Sequence, residues 1–166
     1  MSIVQRWLFI CAMLYPLAGI AAVPDIPMKT LDGEEHNVNE YIGKGKWVVV
    51  AIWAHDCPIC NAELYQMSFF HDDHKDKDAI VLGVSIDGWK NKAKAEAFIE
   101  RHSIDFPNLI TEPDARILAG FGAGPFIGTP TFYIYAPDGS LAAQSIGPTS
   151  QEDLERFMSM YPAGGK

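Results

Sequence analysis

The sequence predicts an α/β fold in which a central mixed sheet is flanked by helices, and three observations lead there. Two short apolar runs rich in β-branched residues, "KWVVVAIWA" and "AIVLGVSID", are bounded by polar residues, as suits strands covered on both faces. Segments of helix formers follow each of them, "PICNAELYQMSFFHDDH" and "KNKAKAEAFIERHS". Near the end, Pro137-Asp138-Gly139 splits two further runs in "TFYIYAPDGSLAAQSIG", a hairpin signal because aspartate and glycine supply turn conformations that other residues resist.

Taken in order, "VPDIPMKTLDGEEHNVNEYIGKGK" reads as a loop, a short strand, a turn at Asp32-Gly33, a second short strand and a short helix around Asn39 to Ile42. The first buried strand follows. A helix from Pro58 to about His74 carries Ile59, Leu64, Met67 and Phe70 at mixed three- and four-residue spacing. Pro58 suits its first position, where a missing N–H costs nothing. After the second buried strand and the charged-faced helix come a strand-like "FPNLI", a short helix in "PDARILAGFG" and a turn-rich "GPFIGTP". The chain closes on the hairpin and a helix in "SQEDLERFMSMY", with Ser150 as N-cap and Asp153 three residues on. One domain, residues 23–166, accounts for everything after the first 22 residues.

Those 22 residues have a different character. Arg6 is their one charge, and "WLFICAMLYPLAGIAA" is an apolar stretch interrupted by Pro16 and Gly19 and ending in small residues. This is the layout of a secretory signal cut near Ala22; the run is short for a spanning helix, which needs about 20 predominantly apolar residues. The expected location is therefore exported and periplasmic, or membrane-anchored if residues 1–22 stay attached. Cleavage would move the net charge from −8 to −9. With no basic stripe to neutralise phosphates, nucleic acid is not an expected partner.

Three cysteines are present, and Cys11 lies inside the signal, in the middle of the apolar run rather than after it, which argues against lipid attachment there. The exported chain then holds Cys57 and Cys60 alone, as a staple or as a catalyst. A staple closing so short a loop would constrain the unfolded chain very little, so the spacing favours chemistry. If a helix begins near Pro58, Cys57 sits at its N-terminal edge, where unpaired N–H groups favour a thiolate, and Cys60 lies one turn along the same face. Cys57 would then attack and Cys60 resolve the mixed disulfide. Zinc would want a second CxxC or a paired histidine motif; His36, His55, His71, His74 and His102 do not offer one cleanly. His71 and His74 share a helix face but read as solvated surface. No cofactor and no metal is expected.

"WAHDCPIC" after "VVVAI", with "GTPTFYIYAPDG" about 70 residues later, resembles the thioredoxin superfamily. The N-terminal hairpin, "CPICNAE", and "GVSIDG" with "FIERHSIDFPNLITEPDARILAGFG" resemble its exported TlpA/ResA branch. The resemblance covers nearly all of residues 23–166. It implies a thioredoxin-like fold with an N-terminal β-hairpin and an extra helical insertion, and a thiol:disulfide oxidoreductase with Cys57 as nucleophile and Cys60 as resolving cysteine. It further implies that Trp53 packs beside the site, that Glu63 is the acidic residue three positions after the second cysteine, and that Pro130 is cis opposite the disulfide, with Thr129 before it. Implied partners are exported proteins with disulfides or thiols, such as apocytochromes awaiting haem or a copper-site assembly protein, and an upstream, membrane-bound electron-donor thiol protein.

Departures from that pattern concern the redox potential. Asp56 stands where an aromatic residue often precedes the first cysteine; its charge either opposes a Cys57 thiolate or points into water and is screened. The dipeptide Pro58-Ile59 is neither the glycine-proline of thioredoxin nor the proline-histidine of strong oxidants. The buried aspartate of cytoplasmic thioredoxins falls on Ala51, so its proton-transfer role is vacant at that position; Glu63, which can share the Cys60 face, is either an exposed helix charge or a carboxylate that moves protons to and from Cys60. Two other readings stand beside the reductase. "GVSIDG" and "DFPNLI" also resemble peroxiredoxins, although Ala54 occupies the position of their threonine. A copper-binding or chaperone module is the third.

Overall fold

The computed structural model describes residues 23–161; the expected signal over residues 1–22 lies outside them. Seven strands form one mixed sheet in the order β2-β1-β5-β4-β3-β6-β7. An antiparallel hairpin, β1 (Pro27–Thr30) and β2 (Glu35–Asn37), turns where the sequence places Asp32-Gly33. The short helix expected around Asn39 to Ile42 is a single 3₁₀ turn, Val38–Glu40, beginning one residue earlier. Asn37 sets that start: its side chain accepts from Asn39 N–H while Glu40 reaches back to the Asn37 N–H.

The first buried run is β3 (Trp47–Trp53), the second β4 (Ala79–Ser85), and they pair in parallel with Ala51 opposite Gly83 and Trp53 opposite Ser85. Because side chains alternate along a strand, Val49, Ala51 and Trp53 face one core layer and Val48, Val50 and Ile52 the other. All six are fully buried, which is why the run shows no polar alternation.

The helix expected from Pro58 to His74 is two: α1 (Pro58–Glu63) and α2 (Gln66–His74). At Leu64-Tyr65 the spacing tightens, with Met67 N–H donating to Leu64 C=O and Ser68 N–H to Tyr65 C=O, each at 3.0 Å. These three-residue closures break the α-helical ladder, and apolar spacing alone cannot register them. Helix α3 (Lys92–Arg101), strand β5 (Asn108–Ile110) and helix α4 (Ala115–Ala119) follow β4. Then β6 (Thr131–Tyr135) and β7 (Leu141–Ile146) form the antiparallel hairpin, and α5 (Gln151–Met160) closes the chain, capped by Ser150 accepting from Asp153 N–H. Helices α1, α2, α3 and α5 cover one face of the sheet, while the N-terminal segment, the 3₁₀ turn and α4 contribute to the other.

His71 corrects the reading of a solvated histidine pair: it is buried, and its Nδ1 accepts from Val81 N–H at 3.0 Å. Burial pushes its pKa below the ordinary value. His74 is half-buried, its Nδ1 2.7 Å from Asp78 and its Nε2 3.3 Å from Glu155. Burial works against its charged form, but the two carboxylates outweigh it and raise the pKa. Among the described residues no helix is long and apolar enough to cross a membrane.

Candidate active site

Strand β3 ends at Trp53, and after four intervening residues α1 begins, so the cysteine pair sits at the C-terminal edge of the central parallel strands. Pro58 occupies the first helical turn and Cys57 the N-cap. The sulfurs of Cys57 and Cys60 are at disulfide distance, with their Cα atoms 5.2 Å apart. Their surroundings differ. Cys57 Sγ accepts from Cys60 N–H at 3.1 Å and lies 3.4 Å from the Thr129 carbonyl oxygen. Cys57 is 6% exposed and Cys60 1%, so Cys57 is the less buried of the two. The Thr129-Pro130 peptide is cis, the isomer the resemblance implies.

Trp53 is fully buried in the same cluster as both cysteines, and its ring stacks on Phe98 with centroids 4.5 Å apart. Its indole N–H donates to Asn108 Oδ1 at 3.0 Å. Gly83 makes room for that partner: a Cβ there would stand 1.9 Å from Asn108 Oδ1. Ala51, in the aspartate position of cytoplasmic thioredoxins, is buried in apolar surroundings. Pro58, Ile59 and Asp56 are exposed. Glu63 is half-buried at the end of α1 and accepts a hydrogen bond from Gln66 Nε2.

Three polar residues near the pair carry no role in the sequence reading. Asp87 follows β4, two residues beyond Ser85, and its side chain is 3% exposed. Its carboxylate accepts from His55 N–H at 3.1 Å, from Ser85 Oγ at 2.7 Å, and sits 2.5 Å from His55 Nδ1. Asn61, the residue after Cys60, donates through Nδ2 to the carbonyls of His55 (3.0 Å) and Cys57 (2.9 Å). Its Oδ1 lies 3.1 Å from His102 Nε2, and burial holds the His102 pKa low. A neutral His102 fits as donor to that amide oxygen. His55, Asp56 and Asp87 bring polar atoms within 4.8 Å of one another, with the Asp87 oxygens already occupied by donors. One signal could have found Asp87: a polar residue at the carboxyl end of a buried parallel strand, the edge where sites of open α/β sheets gather.

A dithiol at the edge of a central strand, set against a backbone carbonyl before a cis-proline, in a mixed sheet covered by helices, defines a thioredoxin-like protein of thiol–disulfide chemistry. The chain belongs to the AhpC/TSA family, whose model matches residues 21–144. It is 28% identical over 138 residues to the thiol-disulfide oxidoreductase ResA of Geobacillus kaustophilus, covering 83% of this chain and 75% of that protein. A thioredoxin-family thiol:disulfide interchange protein from Chlorobium tepidum TLS superposes with a TM-score of 0.71 at 22% identity, over 86% of this chain and 97% of that one. A secreted Mycobacterium tuberculosis disulfide oxidoreductase superposes with a TM-score of 0.64 at 22% identity, over 81% of this chain and 95% of the other. The protein is a thiol–disulfide oxidoreductase, similar to ResA, a chemistry that implies protein thiols or disulfides as substrates.

Proposed function

We propose that the protein is an extracytoplasmic reductant of disulfides in specific exported proteins. One observation carries the reading: Cys57 Sγ sits between the Cys60 N–H and the Thr129 carbonyl, at the less buried end of the pair. The N–H stabilises a thiolate, and the Thr129 carbonyl offers an acceptor beside the sulfur to an extended substrate segment.

The Cys57 thiolate attacks one sulfur of a substrate disulfide, forming a mixed disulfide; the released substrate thiolate takes up a proton. Cys60 then gives its proton to Glu63, three residues along the chain, and attacks Cys57 Sγ. The Cys57–Cys60 bond forms, and the second substrate thiolate leaves and is protonated. Two electrons have moved to the substrate, and an upstream thiol protein must return them. Export rests on the apolar, small-residue-terminated layout of residues 1–22, and is tested by finding the N-terminus of the secreted protein near Val23. Substrates of the cytochrome-maturation or metal-site-assembly type fit this role.

A Cys60→Ser variant mixed with a disulfide-bonded protein is expected to accumulate a mixed disulfide through Cys57, and Cys57→Ser to form none. If the parent instead consumes peroxide faster than it reduces protein disulfides, the peroxide-reductase reading replaces this one. Ala54, which has no hydroxyl to offer a peroxide, is 8% exposed just before the motif. Stoichiometric copper in purified protein would favour the metal-chaperone reading.

A further inference from the structure

We infer that Asp87 and Asn61 are positioning residues for the nucleophile, clamping the turn from His55 to Cys57 from opposite ends. The inference rests on Cys57 being the attacking thiol. Asp87 holds the front of the turn by both the backbone N–H and the ring of His55. The parallel register makes this reach possible: Trp53 lies opposite Ser85, so two residues further along each chain His55 and Asp87 meet. Ser85 Oγ donates to the carboxylate, and Asn91 Nδ2 donates to the Asp87 carbonyl at 2.9 Å, so the clamp is itself anchored. Asn61 holds the back of the turn through the carbonyls of His55 and Cys57, with its amide oriented by His102.

What these contacts hold is the 3.1 Å bond from Cys60 N–H to Cys57 Sγ. That bond depends on the N-cap backbone of Cys57, at φ −75° and ψ 115°. A turn free to relax would let the sulfur drift from the N–H, and a thiolate loses more by that than a thiol. A charge on Asp87 would act in the opposite sense, since a negative group close to a thiol raises its pKa. Clamping and charge therefore predict opposite shifts on truncation, which makes the role of Asp87 separable.

The test is the pH profile of alkylation of the reduced protein by iodoacetamide, with the labelled cysteine identified by mass spectrometry. Asp87→Ala and Asn61→Ala are both expected to move the Cys57 midpoint upward, Asp87→Ala by about one pH unit, a tenfold loss of thiolate below the midpoint. Asp87→Asn keeps an acceptor for His55 and an amide for Ser85, and is expected within about twofold of the parent rate. A downward shift in Asp87→Ala and Asp87→Asn alike would assign Asp87 to charge control and overturn the clamp. So would an Asn61→Ala midpoint equal to the parent's; that variant removes no charge and sits at a half-buried helix position, so it decides the matter even if Asp87→Ala does not fold. Label arriving first at Cys60 defeats the nucleophile assignment itself, a different failure from Cys57 labelling that ignores the clamps.

Discussion

Cys57 and Cys60 are three residues apart, yet one sulfur is offered a hydrogen bond and an approach path while the other faces the core. Beside them, Asp56 is exposed, so its charge acts through water. Unit charges a few ångströms apart in water interact by about 1 kcal/mol, which corresponds to about 20 mV for a two-electron couple. Asp56→Asn is expected to raise the reduction potential by no more than that, measured by equilibration with glutathione; an unchanged potential removes Asp56 from the tuning of the pair. Glu63→Gln keeps the size of the side chain and removes its basicity. It is expected to slow resolution of the mixed disulfide several-fold at neutral pH and to flatten the pH dependence of that step, with little change in melting temperature. A parent-like profile takes Glu63 out of the proton path.

At the scale of elements, β4 supports the site indirectly. Gly83 leaves the space through which Asn108 reaches the Trp53 indole. Gly83→Ala is expected to destabilise the protein by about 1–3 kcal/mol in denaturant melts, through overpacking and an unpaired buried N–H, and to alter tryptophan fluorescence. Helix α2 carries a pH response of its own. The lowered pKa of His71 means the unfolded chain binds a proton that the folded chain refuses, so its contribution to stability is complete above about pH 6.5 and is lost as pH falls below it. His74, with its raised pKa, contributes below that pH and loses its contribution as pH rises through the folded value. His71→Asn is expected to reduce the loss of melting temperature between pH 7 and pH 5; an undiminished loss would assign the acid sensitivity to other groups.

These elements also mark how far the sequence could be read. The two core strands, the hairpin at Asp138-Gly139 and the Ser150 cap were legible because each rests on local pattern or turn chemistry. The break at Leu64-Tyr65 was not, since both residues keep right-handed helical dihedrals and no glycine or proline marks the place. The cysteines were legible from spacing alone. Asp87, Asn61 and Asn108 were not, because each acts through a residue brought near by sheet register or helix docking, over separations of up to 55 positions. His71 read as surface because its neighbours in sequence are polar, although the strand that covers it is not.

For the molecule as a whole, the fully buried valine and isoleucine side chains of β3, each contributing about 1.5–3 kcal/mol on burial, make a rigid shelf from which the cysteine turn projects. The rest of the site is assembled on that shelf from β4, from the loop before β6 and from α1. On the proposed function, this shelf presents a reversible dithiol that gives electrons to protein disulfides. The reduction potential of the Cys57–Cys60 couple tests it most directly. Equilibration with glutathione, followed by thiol trapping, is expected to show a single two-electron couple nearer the roughly −270 mV of thioredoxin than the roughly −120 mV of strong disulfide donors. A value at the oxidising end, or a pair that cannot be cycled at all, would contradict it.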